Sequence, residues 1–408
     1  MRLTLTRLFV LKAFFGVTAI AAAGHNLDLG MACAELEKFG RDLVPKARRQ
    51  MVDGTCGYVP QAGNNYDAVW LRDYYYVLEA KLVPSADIVP LARVFLNAMS
   101  PEGYGVDCVR YDGKPIYKPG YGRCGEHAVA DGPQFTVNVV YETWRQSGYA
   151  TLLSSNVLDR LTLTLSTLPR NPRASTGLVW IDPSRAHDRC PYGFTDTVRK
   201  QGDCFFESLL EIQATRNLAI MMDAANRHKD AEALRTRADF ETAQVNAVFW
   251  DDRVGLYRAA TVKCREHDIW GSAFAVWLGV APANRAERIG AYFCTNFNGL
   301  VQHGQVRHTP ENVYWEQACP RDSYQNGGYW GTPVGWFAYA LERVSPELVD
   351  RLYGDLLDFY ATHGVCEWSF GSKIAIPEGY LANVALPLQG IRRLIEKRHG
   401  NKCTLGYD

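Results

Sequence analysis

The chain has 408 residues, 47% of them hydrophobic, and its 44 Lys plus Arg balance 44 Asp plus Glu. That apolar content supports a large core and argues against a disordered chain, while zero formal charge argues against nucleic acid or an anionic membrane as the main partner.

The first residues carry Arg2 and Arg7, an apolar run after Lys12 and small residues around Ala21-Ala22-Ala23. They predict a secretory signal peptide over 1–23, because the run is shorter than the roughly 20 residues that span a bilayer. The mature protein is then expected in a secreted, secretory-lumen or periplasmic location, without a membrane partner. Eleven cysteines fit that oxidising setting. Cys108 with Cys124 and Cys190 with Cys204 are spaced to brace one loop each, although spacing does not fix connectivity.

Helical periodicity then predicts segments near 33–51, 67–81, 86–98, 131–146, 149–168, 203–225, 228–249, 267–278, 284–293, 330–344, 346–362 and 380–397. Links after the even-numbered segments are tight, such as Val83-Pro84-Ser85, Gly148 and Ser345-Pro346. Links after the odd ones are long: 52–66, 99–130, 169–202, 250–266, 294–329 and 363–379. Tight links pair antiparallel neighbours, so the pattern reads as six helical hairpins. The expected fold is all-α, a single (α/α)6 barrel over 24–408, with every long link at one chemically rich end.

Aromatic residues gather in those links. Trp70, Trp180, Trp270, Trp315, Trp330, Trp336 and Trp368, with Tyr66, Tyr192, Tyr314, Tyr324 and Tyr329, lie in or beside them, as sugar recognition requires: ring faces for C–H groups, polar neighbours for hydroxyls. Among the carboxylates, Asp203 stands where a helix N-cap belongs. Asp196 lies beyond capping distance, next to Phe194, and Glu367 sits between Cys366 and Trp368, a setting that holds a proton. Cleaving a glycosidic bond takes two acids flanking it, one donating a proton to the leaving oxygen, the other activating water. Asp196 and Glu367 are the expected pair. Asp73, Asp131, Asp182, Glu316 and Asp322 are rivals. Gln134 opens a helix from the same end and offers an amide to hydroxyls.

The stretches YQNGGYWGTPVGWFAYAL, CEWSFG and IPEGYLANVALPLQGI resemble the six-hairpin glycoside hydrolases, most closely family 63 α-glucosidases, more loosely trehalases, neutral invertases and glucoamylases. The resemblance implies a Tyr-Trp motif opening a barrel helix at Tyr329 and Trp330, with Trp336 one residue further along than the family's second Trp. It implies Glu367 as general base, a general-acid loop carrying Gly193, Asp196 and Arg199, and a first substrate-binding loop with Trp70, Arg72 and Asp73. Trp368-Ser369-Phe370-Gly371 after Glu367 departs from the family's usual continuation, and Glu316 in VYWEQA resembles the glucoamylase base segment. The expected activity is inverting glycoside hydrolysis of a carbohydrate substrate. Trp70, Arg72, Asp73, Gln134, Trp180, Asp182, Arg199, Tyr329, Trp330 and Trp368 are expected to bind it.

Two other readings stay open: a lyase or epimerase using His303, His308 and Arg307, and a non-catalytic carbohydrate-binding protein. No cofactor or metal is expected. The Gly120-x-Gly122-x-x-Gly125 match lacks a preceding strand, and His187, Cys190, His308, His363 and Cys366 lack metal-site spacing.

Overall fold

In the computed structural model, which describes residues 27–63, 66–184, 192–376 and 378–399, helices alternate between an inner and an outer ring. Helix α1 (Leu29–Ala47) is followed by α2 (Leu71–Glu79) with α3 (Ser85–Asn97), α4 (Gly132–Ser147) with α5 (Ser155–Ser166), and α6 (Phe205–Ala224) with α7 (His228–Val248). Next come α8 (Ile269–Trp277) with α9 (Ala283–Thr295), the one-turn α10 (Phe297–Leu300), α11 (Val334–Leu341) with α12 (Pro346–His363), and α13 (Ala382–Arg398). Helices α2, α4, α6, α8, α11 and α13 touch in that order, and α13 returns to α2. The ring is closed. The remaining long helices lean on it from outside, α1 against α13.

Sequence explains which helix goes where. Nearly every residue of α6, α8 and α11 is buried, as an inner stave touched on all sides requires, whereas α7 buries one narrow stripe. Local signals set the ends. Asp28 caps α1 by accepting from the backbone N–H of Gly30 at 2.8 Å and of Met31 at 3.2 Å. Gly148 ends α4 in the left-handed conformation that glycine takes without strain.

One large aromatic side chain from each of five inner helices fills the barrel centre. Trp336 meets Phe274 at 4.7 Å, Phe206 at 5.8 Å and Tyr76 at 5.9 Å between ring centroids, and Tyr76 meets Phe135 at 5.6 Å. The barrel is therefore a plugged cup, with a solid floor.

Each of the twelve predicted segments contains a helix, with shifted ends. Alongside α10, the links hold short antiparallel strands that helical periodicity does not register. Arg48–Gln50 pairs with Cys56–Tyr58, which ends α1 before residue 51. Ala68–Trp70, Cys108–Arg110 and Pro115–Ile116 form a second sheet. A five-stranded sheet joins two distant links through Val301–Gln302, Gln305–Arg307, Tyr329–Trp330, Trp368–Phe370 and Lys373–Ala375. Tyr329 and Trp330 thus lie in a strand ahead of α11, not in its first turn.

The expected disulfides are not formed. Cys108 and Cys204 are buried free thiols. The Cys108 thiol, in a strand, engages the Tyr121 hydroxyl, and the Cys204 thiol donates to the Gly202 carbonyl oxygen at 3.4 Å. Cys190, His187 and the 1–23 segment lie outside the described residues. No described helix is long and apolar enough to cross a membrane.

Candidate active site

Five of the six long links, the first turn of α2 and Tyr380 just ahead of α13 enclose a cavity of about 180 Å³. Asp196, Glu367 and Asp73 all open onto it, with Tyr66, Trp70 and Tyr324 in its wall. Its floor is Phe194, stacked on Tyr76 of the barrel plug with centroids 5.9 Å apart.

Asp196 ends a single 3-10 turn, Gly193–Thr195, that is sprung from the Tyr192 carbonyl by the Thr195 N–H at 2.8 Å. Gly193 is required there. A Cβ on it would lie 2.0 Å from the Arg72 guanidinium. The Asp196 Oδ1 accepts from the Gln325 amide at 2.5 Å, and the carboxylate also accepts from the Tyr324 hydroxyl. Glu367 enters the strand Trp368–Phe370, its N–H donating to the Ala375 carbonyl at 3.0 Å. The Tyr66 hydroxyl reaches its Oε1 at 3.5 Å.

Three carboxyl groups in one small hollow hold protons tightly. Burial pushes Glu367, 5% exposed, up to about 8, and the neighbouring Asp196 and Asp73 charges add to that. Burial raises Asp196 to about 6, against the hydrogen bond from Gln325 and the Arg72 charge. Burial likewise lifts Asp73 to about 6, although Arg72 and the Tyr380 hydroxyl, donating at 2.8 Å, oppose it. The same acids and burial drive Tyr66, Tyr324 and Tyr380 well above the usual phenol range, so these stay neutral donors. The arrangement supplies acids, a proton-holding partner and a ring of hydroxyls around one small polar ligand.

Arg72 is predominantly structural. It donates to Asp131 through Nε at 2.8 Å and Nη2 at 3.1 Å, and to Asp107 through Nη2 at 2.6 Å. Asp131 also accepts the Gly193 N–H at 2.9 Å, and Asp107 the Gly120 N–H at 3.1 Å. This buried network ties the 99–130 and 169–202 links and the N-terminus of α4 to α2 behind the acids.

Of the expected binding residues, Trp70, Arg72 and Asp73 line the cavity with the two acids; seven do not. Gln134 turns back to donate to the carbonyls of Ala130 at 2.7 Å and Glu207 at 3.2 Å. Trp180 pairs with Asp203 in a two-stranded ladder. Asp182 accepts from the N–H and hydroxyl of Ser184, making a turn. Arg199 sits where its N–H meets the Gln317 carbonyl at 3.0 Å. Trp330 lies behind the wall, its indole N–H donating to the Tyr324 carbonyl at 3.1 Å. The Tyr329 hydroxyl donates to the Gly299 carbonyl at 3.4 Å, and Trp368 packs under Lys373. Aromatic density marks loop packing as often as a ligand wall.

Of the rival carboxylates, Asp73 shares the cavity and the others fall elsewhere. Asp131 is consumed by Arg72. Glu316 is exposed and accepts the Cys264 N–H at 3.1 Å, and Asp322 accepts the Tyr314 hydroxyl at 2.5 Å. Asp203 accepts the Thr176 hydroxyl at 3.3 Å, while Cys204 occupies the N-cap of α6 without a side-chain capping bond. His308 stacks on Trp270 at 3.7 Å, His303 on Phe359 at 5.0 Å, and Arg307 lies over Tyr314 and Tyr329. None of these lines the cavity. Among the described residues, no group of three metal-ligating side chains is arranged to hold an ion.

Sequence reasoning missed Tyr380 and Asp107, and named Tyr66 and Tyr324 without a binding role. Tyr380 sits inside IPEGYLANVALPLQGI, a stretch that already carried the resemblance. Asp107 has no local signal, because its partner Arg72 is distant in sequence.

No family model and no curated protein matches the sequence. Solved structures do. A family GH63 mannosylglycerate hydrolase from Thermus thermophilus is 16% identical, with TM-score 0.63, over 86% of this chain and 99% of that one. A glucoamylase from Saccharomycopsis fibuligera is 11% identical, with TM-score 0.61, over 91% and 96%. A GH78 rhamnosidase from Bacillus sp. GL1 is 15% identical, with TM-score 0.58, over 88% of this chain and 34% of that one. With its closed double ring and its links gathered over one cup, the chain has the (α/α)6 fold of the six-hairpin glycosidases.

Proposed function

We propose that this chain is a secreted glycoside hydrolase acting with inversion, in which Asp196 protonates the leaving oxygen and Glu367 activates water. The observation carrying the reading is the shared cavity of these two acids, brought from the third and sixth long links. Its volume of about 180 Å³ lies below the roughly 300 Å³ of ordinary ligand pockets and takes about one sugar ring. Asp73 and the phenols of Tyr66, Tyr324 and Tyr380 are the groups for its hydroxyls, and Trp70 supplies an aromatic face. The named neighbours act on different sugars, which supports a glycosidic bond as the target and leaves the sugar to experiment.

A second reading exchanges the roles of the two acids. It is favoured by Glu367 being raised to about 8 and Asp196 to about 6, since the group that holds its proton better is the natural acid. Asp196→Asn and Glu367→Gln should each abolish turnover of unactivated glycosides in a folded protein. Glycosyl fluorides, whose leaving group needs no proton, separate the roles: the acid variant keeps turnover and the base variant does not. Near-normal rates for both variants on ordinary glycosides would refute the pair, and NMR of the first-formed anomer reads inversion.

A further inference from the structure

The Asp196 carboxyl is held by a residue that does not itself line the cavity. Gln325, fully buried in the 294–329 link, donates its side-chain amide N–H to the Asp196 Oδ1 at 2.5 Å. Its own Oε1 accepts from the Thr197 backbone N–H at 2.8 Å and from the Thr197 hydroxyl at 2.7 Å. A backbone N–H can only donate, so the atom it meets must be the amide oxygen. The amide is therefore locked one way round, with its NH2 group aimed at Asp196.

The local backbone is shaped for this contact. Tyr324 adopts φ 45°, a left-handed conformation that is strained for tyrosine. In extended chain, successive side chains point to opposite sides. Here the turn lets two neighbours, Tyr324 and Gln325, reach one carboxylate. It is clamped in place. The Tyr324 carbonyl accepts the Gly328 N–H and the Trp330 indole N–H, both at 3.1 Å, and the Gln325 carbonyl accepts the Trp315 indole N–H at 2.8 Å. The fifth and third long links are also stitched together by the Cys319 N–H donating to the Thr197 hydroxyl oxygen at 3.4 Å. The charged or titratable groups facing Asp196 are Arg72, Asp107 and Tyr324, with Tyr66, Asp73, Arg123 and Glu367 around the cavity. Gln325 differs from all of them, as a neutral donor that can be removed without changing any charge.

We propose that Gln325 is the positioning residue of Asp196, its one-way amide occupying Oδ1 and leaving Oδ2 as the oxygen that handles the proton. This rests on the hydrolase reading above and deepens it. Whether Asp196 serves as acid or base, an N–H donor steadies its ionised form, so removing the donor raises the pH at which the proton leaves. The test is Gln325→Met in the full-length protein, which keeps nearly the same shape and loses the donor. On an aryl glycoside, kcat should fall about tenfold with KM within about twofold. The limb of the pH–rate profile that belongs to Asp196 should move up by about one pH unit. Carboxyl 13C NMR of aspartate-labelled protein, with Asp196→Asn for assignment, should show the same upward move without substrate. Gln325→Glu, which donates only while protonated, should recover most of the lost rate towards acid pH and lose it as pH rises. That variant carries the test if Gln325→Met fails to fold. An unmoved limb and an unmoved NMR midpoint in a folded variant would overturn the proposal, whatever happens to kcat. A moved midpoint in a protein that hydrolyses no glycoside sinks the hydrolase and keeps the hold of Gln325 on Asp196. Hydrolysis with an unmoved midpoint does the reverse.

Discussion

The side-chain amide of Asn383 donates to two consecutive carbonyls, Cys366 at 2.7 Å and Glu367 at 2.9 Å. The Asn383 amide oxygen accepts the Thr332 hydroxyl at 2.6 Å, and its backbone carbonyl accepts the Tyr360 hydroxyl at 2.7 Å. A fully buried residue of α13 therefore fixes the peptide that carries the proposed base. Asn383→Ala should lower kcat about 10- to 100-fold through misplacement of the carboxyl, with little change in KM. It should also cost roughly 2–3 kcal/mol of stability by stranding buried polar groups. An unaltered kcat on an aryl glycoside would mean that the strand alone positions Glu367.

Gly193 and Arg72 form a second positioning device. Gly193→Ala drives a methyl into the guanidinium, which cannot retreat without leaving Asp107 and Asp131 buried and uncompensated. Chemical denaturation should register a loss of roughly 3 kcal/mol or more. Arg72→Leu should be at least as severe, whereas an exposed pair such as Arg235 with Glu232 should be nearly silent to mutation.

Stability should depend on pH through Glu367. Its ordinary value is 4.5, and in the folded protein it is pushed to about 8. Below pH 4.5 the group is protonated in both states and imposes no penalty. As pH rises towards 8, the unfolded chain releases the proton while the folded chain keeps it, so stability falls across that window. Glu367→Gln is neutral throughout. Relative to wild type it should gain roughly 4 kcal/mol between pH 4.5 and pH 8. Parallel pH profiles for the two proteins in thermal melts would contradict this.

Glu316→Gln should leave turnover within about twofold of wild type, because its carboxylate holds the Cys264 N–H at the surface, away from the cavity. Loss of turnover comparable with that of Glu367→Gln would transfer the base role to Glu316.

The helices and their order were legible because burial writes a period into the sequence, and tight links such as Ser345-Pro346 announce hairpins. Asp196 and Glu367 stood out as acids in apolar or aromatic settings that no cap explains. Trp330 and Trp368 do not line the cavity, and a ring that supports a wall and one that forms it leave the same local pattern in sequence. Gln134 does not line it either, because its amide turns inward to carbonyls of the chain. Asp107 and the strands between Gln305 and Ala375 were invisible for another reason: their partners come from remote links, and a single sequence carries no trace of such pairing.

The inner ring is closed by its last stave, α13, which touches both α11 and α2 and carries Asn383, with Tyr380 just ahead of it. A nascent chain still lacking that segment has an open ring, an unclamped Glu367 and an Asp73 without its phenol. The proposed activity should therefore appear only once α13 has joined the ring, and a lesion in α13 should silence it while most of the other helices remain intact.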